Sequence, residues 1–92
     1  NHQRYIHGLA KTKTAQNDFA AAMPLWRRLN NGIEAGTDLW FESKYQMIVC
    51  LLASDPTAAA QVYRQTIQLS SELPDRWRTQ FRELKEKLPD PQ

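Results

Sequence analysis

An all-α fold of about five helices is what this sequence predicts, and three observations predict it. Apolar residues recur at spacings of three and four along most of the chain, the period of one helix face. Only three glycines occur against five prolines, too few turn formers for a many-stranded sandwich. The longest apolar run, Met47 to Ala53, has no second run to pair with as a strand. It also falls far short of the ~20 residues a helix needs to cross a bilayer. At 92 residues the chain is expected to form one domain over 1–92, because two cores would each be too small to persist.

The first helix is expected over 3–15, with Ile6, Leu9, Ala10 and Tyr5 as its apolar stripe. Asn17 or Asp18 can cap the second, over 19–32, where Phe19, Ala22, Trp26, Leu29 and Ile33 step along one face. Pro24 removes one hydrogen bond from this helix and should bend it. The Asn- and Gly-rich stretch from Asn30 to Gly36 is a strong stop. Thr37 or Asp38 then opens a third helix over 38–53, apolar all round in its latter half and so expected at the centre, burying Ile48, Cys50 and Leu52. Ser54-Asp55-Pro56 marks the next boundary: the carboxylate caps, and proline at the first helical position loses no bond. The fourth helix follows over 56–70. After Pro74 a fifth over 75–88 carries Trp77, Phe81, Leu84 and Leu88 on one face, with Arg82–Glu86 and Glu83–Lys87 as expected ion pairs on the other.

Composition excludes several functions. Twelve basic against ten acidic groups leave a formal charge of +2, too balanced for gripping a polyanion, so no nucleic acid is expected. One cysteine forms no internal disulfide and no multi-cysteine zinc site. His2 and His7 lie about 140° apart around a helix, so one helix cannot aim both at a metal. Cys50 sits in the apolar run with no base in the neighbouring turn, which suits a structural thiol better than a nucleophile. Asp38 and Glu42 share a face near a helix start, where negative charge complements the dipole. No nucleophile elbow, phosphate loop or dinucleotide fingerprint is present. No catalytic residue, cofactor or metal is therefore expected, nor insertion into a membrane. The opening at Asn1, with no basic and apolar leader, reads as a piece cut from a longer protein.

Two helix pairs followed by a terminal amphipathic helix resemble a tetratricopeptide array of bacterial type, in which a period of ~34 residues gives two antiparallel repeats and a C-terminal capping helix. Ile6, Leu9 and Ala10 match the large, leucine and small positions of the first motif helix. Phe19, Ala22, Trp26 and Leu29 fall at the second helix's apolar positions, with Ala22 and Trp26 expected at the contact and Leu9 against them. Ala59 and Tyr63 repeat Ala22 and Trp26 after 37 residues, and Trp40 follows Ile6 after 34. The WFESKYQMIVCLLA and DRWRTQFREL segments are similar to terminal repeats of such proteins. Lys13 in place of tyrosine, Asn17 in place of the turn glycine and Leu29 in place of a small residue depart from the pattern.

The resemblance implies a non-catalytic protein–protein interaction module with a concave groove. Arg4, His7 and Lys11 fall at the positions that would line it; a solvated polar face explains the same residues without a ligand. Trp40 is expected to be partly exposed on a face shared with Lys44 and Met47, and all three join the candidate partner-binding set. The partner would be another protein or the rest of the same chain. The alternatives are a structural cap ending a longer array, for which the mixed charges of the last helix suffice, or an accessory subdomain of an enzyme.

Overall fold

The computed structural model describes residues 2–69 and 73–89. Among them are five helices and no strand: α1 (His2–Ala15), α2 (Phe19–Asn31), α3 (Asp38–Ser54), α4 (Pro56–Leu69) and α5 (Asp75–Lys87). Every expected helix is present, with ends within a residue or two; the expected extension of the fourth to residue 70 lies outside the described residues.

The caps explain the boundaries. Asp18, not Asn17, caps α2, its carboxylate accepting from the Ala21 amide at 3.3 Å. Asn17 instead makes the turn, at φ 60°, a left-handed conformation that asparagine tolerates better than other side chains. Thr37 caps α3 through the Trp40 amide at 3.3 Å, and Gly36 before it takes φ 90°, where a β-carbon would be strained. Asp55 accepts from the Ala58 amide at 3.2 Å at the start of α4. Pro74 offers no side-chain cap to α5. α2 runs unbroken through Pro24, which faces solvent beside an exposed Ala20; the carbonyl deprived of its partner there lies within reach of water.

α1 packs on α2, α2 on α3, and α3 on α4, while α5 approaches α3 closely at few points. α3 serves two cores. Met47 and Cys50 join Ile6, Ala10, Ala22, Trp26 and Leu29 on one side. Trp40, Phe41 and Ile48 join Ala59, Trp77, Phe81 and Leu84 on the other. That double burial is why its apolar residues run all round the helix: Ile48 and Cys50 are buried and Leu52 is half-buried.

Expectations for α1 and for α5 fail. Ala22 and Trp26 are buried together as expected, but Ile6 and Ala10 meet them, whereas Leu9 is left exposed. α1 has neighbours on one side only, so the covered face is narrower than its apolar stripe. On α5 the ion pair formed is Arg78–Asp75 at 3.1 Å; Arg82–Glu86 and Glu83–Lys87 do not close.

Candidate functional site

Ile6 and Ala10 turn α1 toward α2, which carries His7 around to α3. Its Nε2 lies 2.9 Å from Glu42 Oε2, and its ring stands edge-on to Trp26, centroids 5.7 Å apart. The position at His7 that would line the groove is thus taken by a carboxylate of the chain itself. Arg4 and Lys11, about one turn before and after, remain exposed and make no ion pair among the described residues.

The α3 members of the predicted set lie elsewhere. Trp40 is 4% exposed and Met47 6%, so the expectation of a partly exposed Trp40 is corrected. Its indole is packed into the α3–α4–α5 core with Phe41 edge-on at 5.0 Å, and Lys44 Nζ closes over it, 5.5 Å from the ring centroid. Burial of the Lys44 stem pushes its pKa below the ordinary lysine value. Met47 turns to the opposite core, with Trp26. Glu42 and Lys44, two positions apart, differ by about 200° around the helix. Of the predicted set only His7 reaches Glu42; Met47 shares the α1–α2 core with Ile6, Ala10 and Trp26, while Trp40 and Lys44 lie on the other side of α3.

Three further polar connections tie the helices together. Asn30 donates from Nδ2 to Ser43 Oγ at 3.0 Å and to the Trp40 carbonyl at 3.4 Å. Trp26 Nε1 donates to Thr14 Oγ1 at 2.9 Å. Asp38 accepts from Trp77 Nε1 at 2.9 Å and from Arg76 at 3.0 Å, linking α3 to α5. Among the described residues no buried side-chain nitrogen or oxygen lacks a partner, as buried polar groups require. The sequence reading missed Asn30, Ser43 and the long-range partners of Glu42 and Asp38. A signal existed for two: an amide four residues after Trp26, and a hydroxyl between Trp40 and Met47, both inside apolar stripes.

Chemically these groups hold helices in register. Cys50 is buried, and burial pushes its thiol above the ordinary value, the reverse of what a nucleophilic thiolate needs. Among the described residues no group of three histidine, cysteine or acidic side chains is placed to hold a metal, and no helix is long and apolar enough to cross a membrane. Comparison with family models, with curated proteins and with solved structures finds no match to this chain.

Proposed function

We propose that this chain is a non-catalytic contact module of tetratricopeptide-like build, which docks another protein, or another part of its own chain, against α1. The observation that carries this reading is the exposure of Tyr5 (63%) and Leu9 (36%), adjacent on one face of α1. Of the large apolar side chains described, only Leu69 at the end of α4 is exposed besides them. Apolar area framed by polar groups suits a docking surface, and tyrosine is among the residues that anchor interfaces. Arg4 and Lys11 are exposed on the flank of α1 nearer His7, about 100–160° around the helix from Tyr5 and Leu9, and add positive charge to the same helix. A partner carboxylate would gain charge-assisted bonds from them, but exposed pairs yield only about 0–1 kcal/mol. Affinity must come mainly from apolar contact, and Tyr5 and Leu9 take the anchoring role that buried Trp40 and Met47 cannot.

The repeat-like, antiparallel build draws support from paired positions. Ala22 and Ala59 are both fully buried, as are the larger Ile6 and Trp40 nearly so. The His7–Glu42 bond spans 35 residues, close to the ~34-residue period of the family. Asn17 adopts a left-handed conformation at the position of the family's turn glycine.

One observation favours the structural-cap reading. Tyr5 and Leu9 each lie about 160° around α1 from His7, on the side away from α3, where a further helix of a longer array would stack. Two double substitutions in the intact protein separate the readings. For a module, Arg4→Glu with Lys11→Glu weakens a captured partner while circular dichroism and melting temperature stay unchanged. For a cap, that variant leaves the partner set intact, and Tyr5→Glu with Leu9→Glu lowers the melting temperature of the whole protein.

A further inference from the structure

A second surface, distant in sequence from α1 and independent of the reading above, lies between α4 and α5. Ala60, Tyr63 and Ile67 of α4 face Leu88 and Pro89 beyond the end of α5 across a groove of about 350 Å³, open along one side, with Arg64 and Lys85 on it. This is the lower end of the roughly 300–1,000 Å³ of small-ligand sites. Arg64 and Gln68 also belong to a shallower depression of about 200 Å³, completed by Gln61 and Gln65. The two adjoin at Arg64 and Gln68: an apolar trough beside a shelf of side-chain amides.

Charge and polarity select the occupant. α4 contains no acidic residue, and among the described residues no carboxylate lines either depression. Arg64 and Lys85 are exposed and make no ion pair among the described residues. Two cations with no counter-charge among the described residues, beside apolar side chains, complement an acidic, aliphatic ligand. The shelf narrows the class further. Each glutamine amide both donates and accepts, which matches the alternating N–H and C=O groups of a peptide backbone and has no counterpart in an acyl chain. The open side lets a chain enter and leave. We infer that the α4–α5 groove binds an acidic peptide segment, with leucine- or isoleucine-type side chains in the trough of Tyr63, Ile67 and Leu88. Its carboxylates would lie at Arg64 and Lys85 and its backbone along Gln61, Gln65 and Gln68.

The test uses the whole chain and a fluorescent peptide of alternating glutamate and leucine, read by anisotropy. Four competitors are run beside it: a lysine–leucine peptide, single-stranded DNA, phosphatidylglycerol vesicles and decanoate. The acidic peptide should bind with an affinity that falls as salt rises, and should shift amide resonances at Tyr63, Ile67 and Leu88. Arg64→Gln with Lys85→Gln should weaken it at least tenfold with unchanged circular dichroism. Ile67→Glu should weaken it too, with Gln80→Glu, on the same helix as Lys85, as the control that does not. The inference is overturned if the double glutamine variant binds equally well, or if the resonance shifts fall on α1. It is equally overturned if any of the four competitors binds as tightly as the acidic peptide, or if sedimentation shows the groove filled by a second copy of the chain.

Discussion

The two sides of α3 are held by different physics. Toward α1 and α2 the contacts are directional: Trp26 to Thr14, Asn30 to Ser43, His7 to Glu42. Toward α4 and α5 they are mostly rings. Phe81 lies with its centroid 5.9–6.4 Å from those of Phe41, Tyr45, Tyr63 and Trp77, and the polar link, Asp38 to Arg76 and Trp77, sits at the rim. Ring packing depends on volume and falls off gradually with displacement. A buried donor depends on one acceptor in one place, and missing it costs its full desolvation. The first half should therefore be sensitive to chemistry at constant shape, and the second to shape itself.

Phe81→Ala is expected to give the largest effect. Truncating a buried phenylalanine costs about 3–5 kcal/mol, a large share of the roughly 5–15 kcal/mol that stabilises a small domain. Because α5 meets α3 closely at few points of its backbone, the loss should fall first on α5. Amide exchange should show α5 unprotected while α1, α2 and the facing side of α3 keep their protection. Equal loss of protection in α1 and α2 would erase the distinction between the halves.

A matched pair of smaller changes tests the other side. Thr14→Val and Thr66→Val alter shape equally and keep β-branching. Thr14 Oγ1 accepts the Trp26 indole N–H across two helices. Thr66 is fully buried, but its hydroxyl only donates back to the Val62 carbonyl of its own helix at 2.8 Å, and that carbonyl keeps its backbone partner. Urea unfolding should show a loss of about 1–3 kcal/mol for Thr14→Val, from an orphaned buried donor. Thr66→Val should stay within about 0.5 kcal/mol. Similar losses for both would mean that polarity contributes alike on the two sides.

The same division decided what was legible in the sequence. The α2 and α5 stripes, the central place of α3 and the caps at Asp18, Thr37 and Asp55 were all readable, because each follows from spacing within one helix. The α1 stripe misled: Leu9 shares the period of Ile6 and Ala10, but no helix lies on its side, and a period cannot count neighbours. Trp40 misled for the converse reason, since α3 has a core on each side and leaves no apolar face free. The partners of His7, Asn30 and Asp38 depend on which helices become adjacent, information that no local window holds. Of the predicted site, the Arg4–His7–Lys11 flank was readable from heptad-like spacing, whereas its separation from Lys44 required the rotation of α3 against α1.

Lys44 supplies the smallest and most discriminating prediction, because it is a charge set against the ring-packed side. Its ammonium gains about 0.5–1 kcal/mol from the Trp40 face at a site of this kind, but its stem is partly removed from water. Lys44→Met keeps the aliphatic body over the indole and removes both the attraction and the cost of holding a charge there. At pH 7 the variant should melt within about 2 °C of the unsubstituted chain. Burial lowers the Lys44 pKa from its ordinary value of 10.5, so as pH rises toward that value the folded chain releases this proton before the unfolded chain does. Unfolding then takes up protons, and stability at this site increases with pH across that window. Methionine does not titrate. The melting-temperature difference should therefore move in favour of lysine between pH 7 and pH 10, while the raised pKa values of Cys50 and Tyr63 act equally in both chains and cancel. A difference that is flat in pH would place the Lys44 ammonium in water, off the Trp40 face.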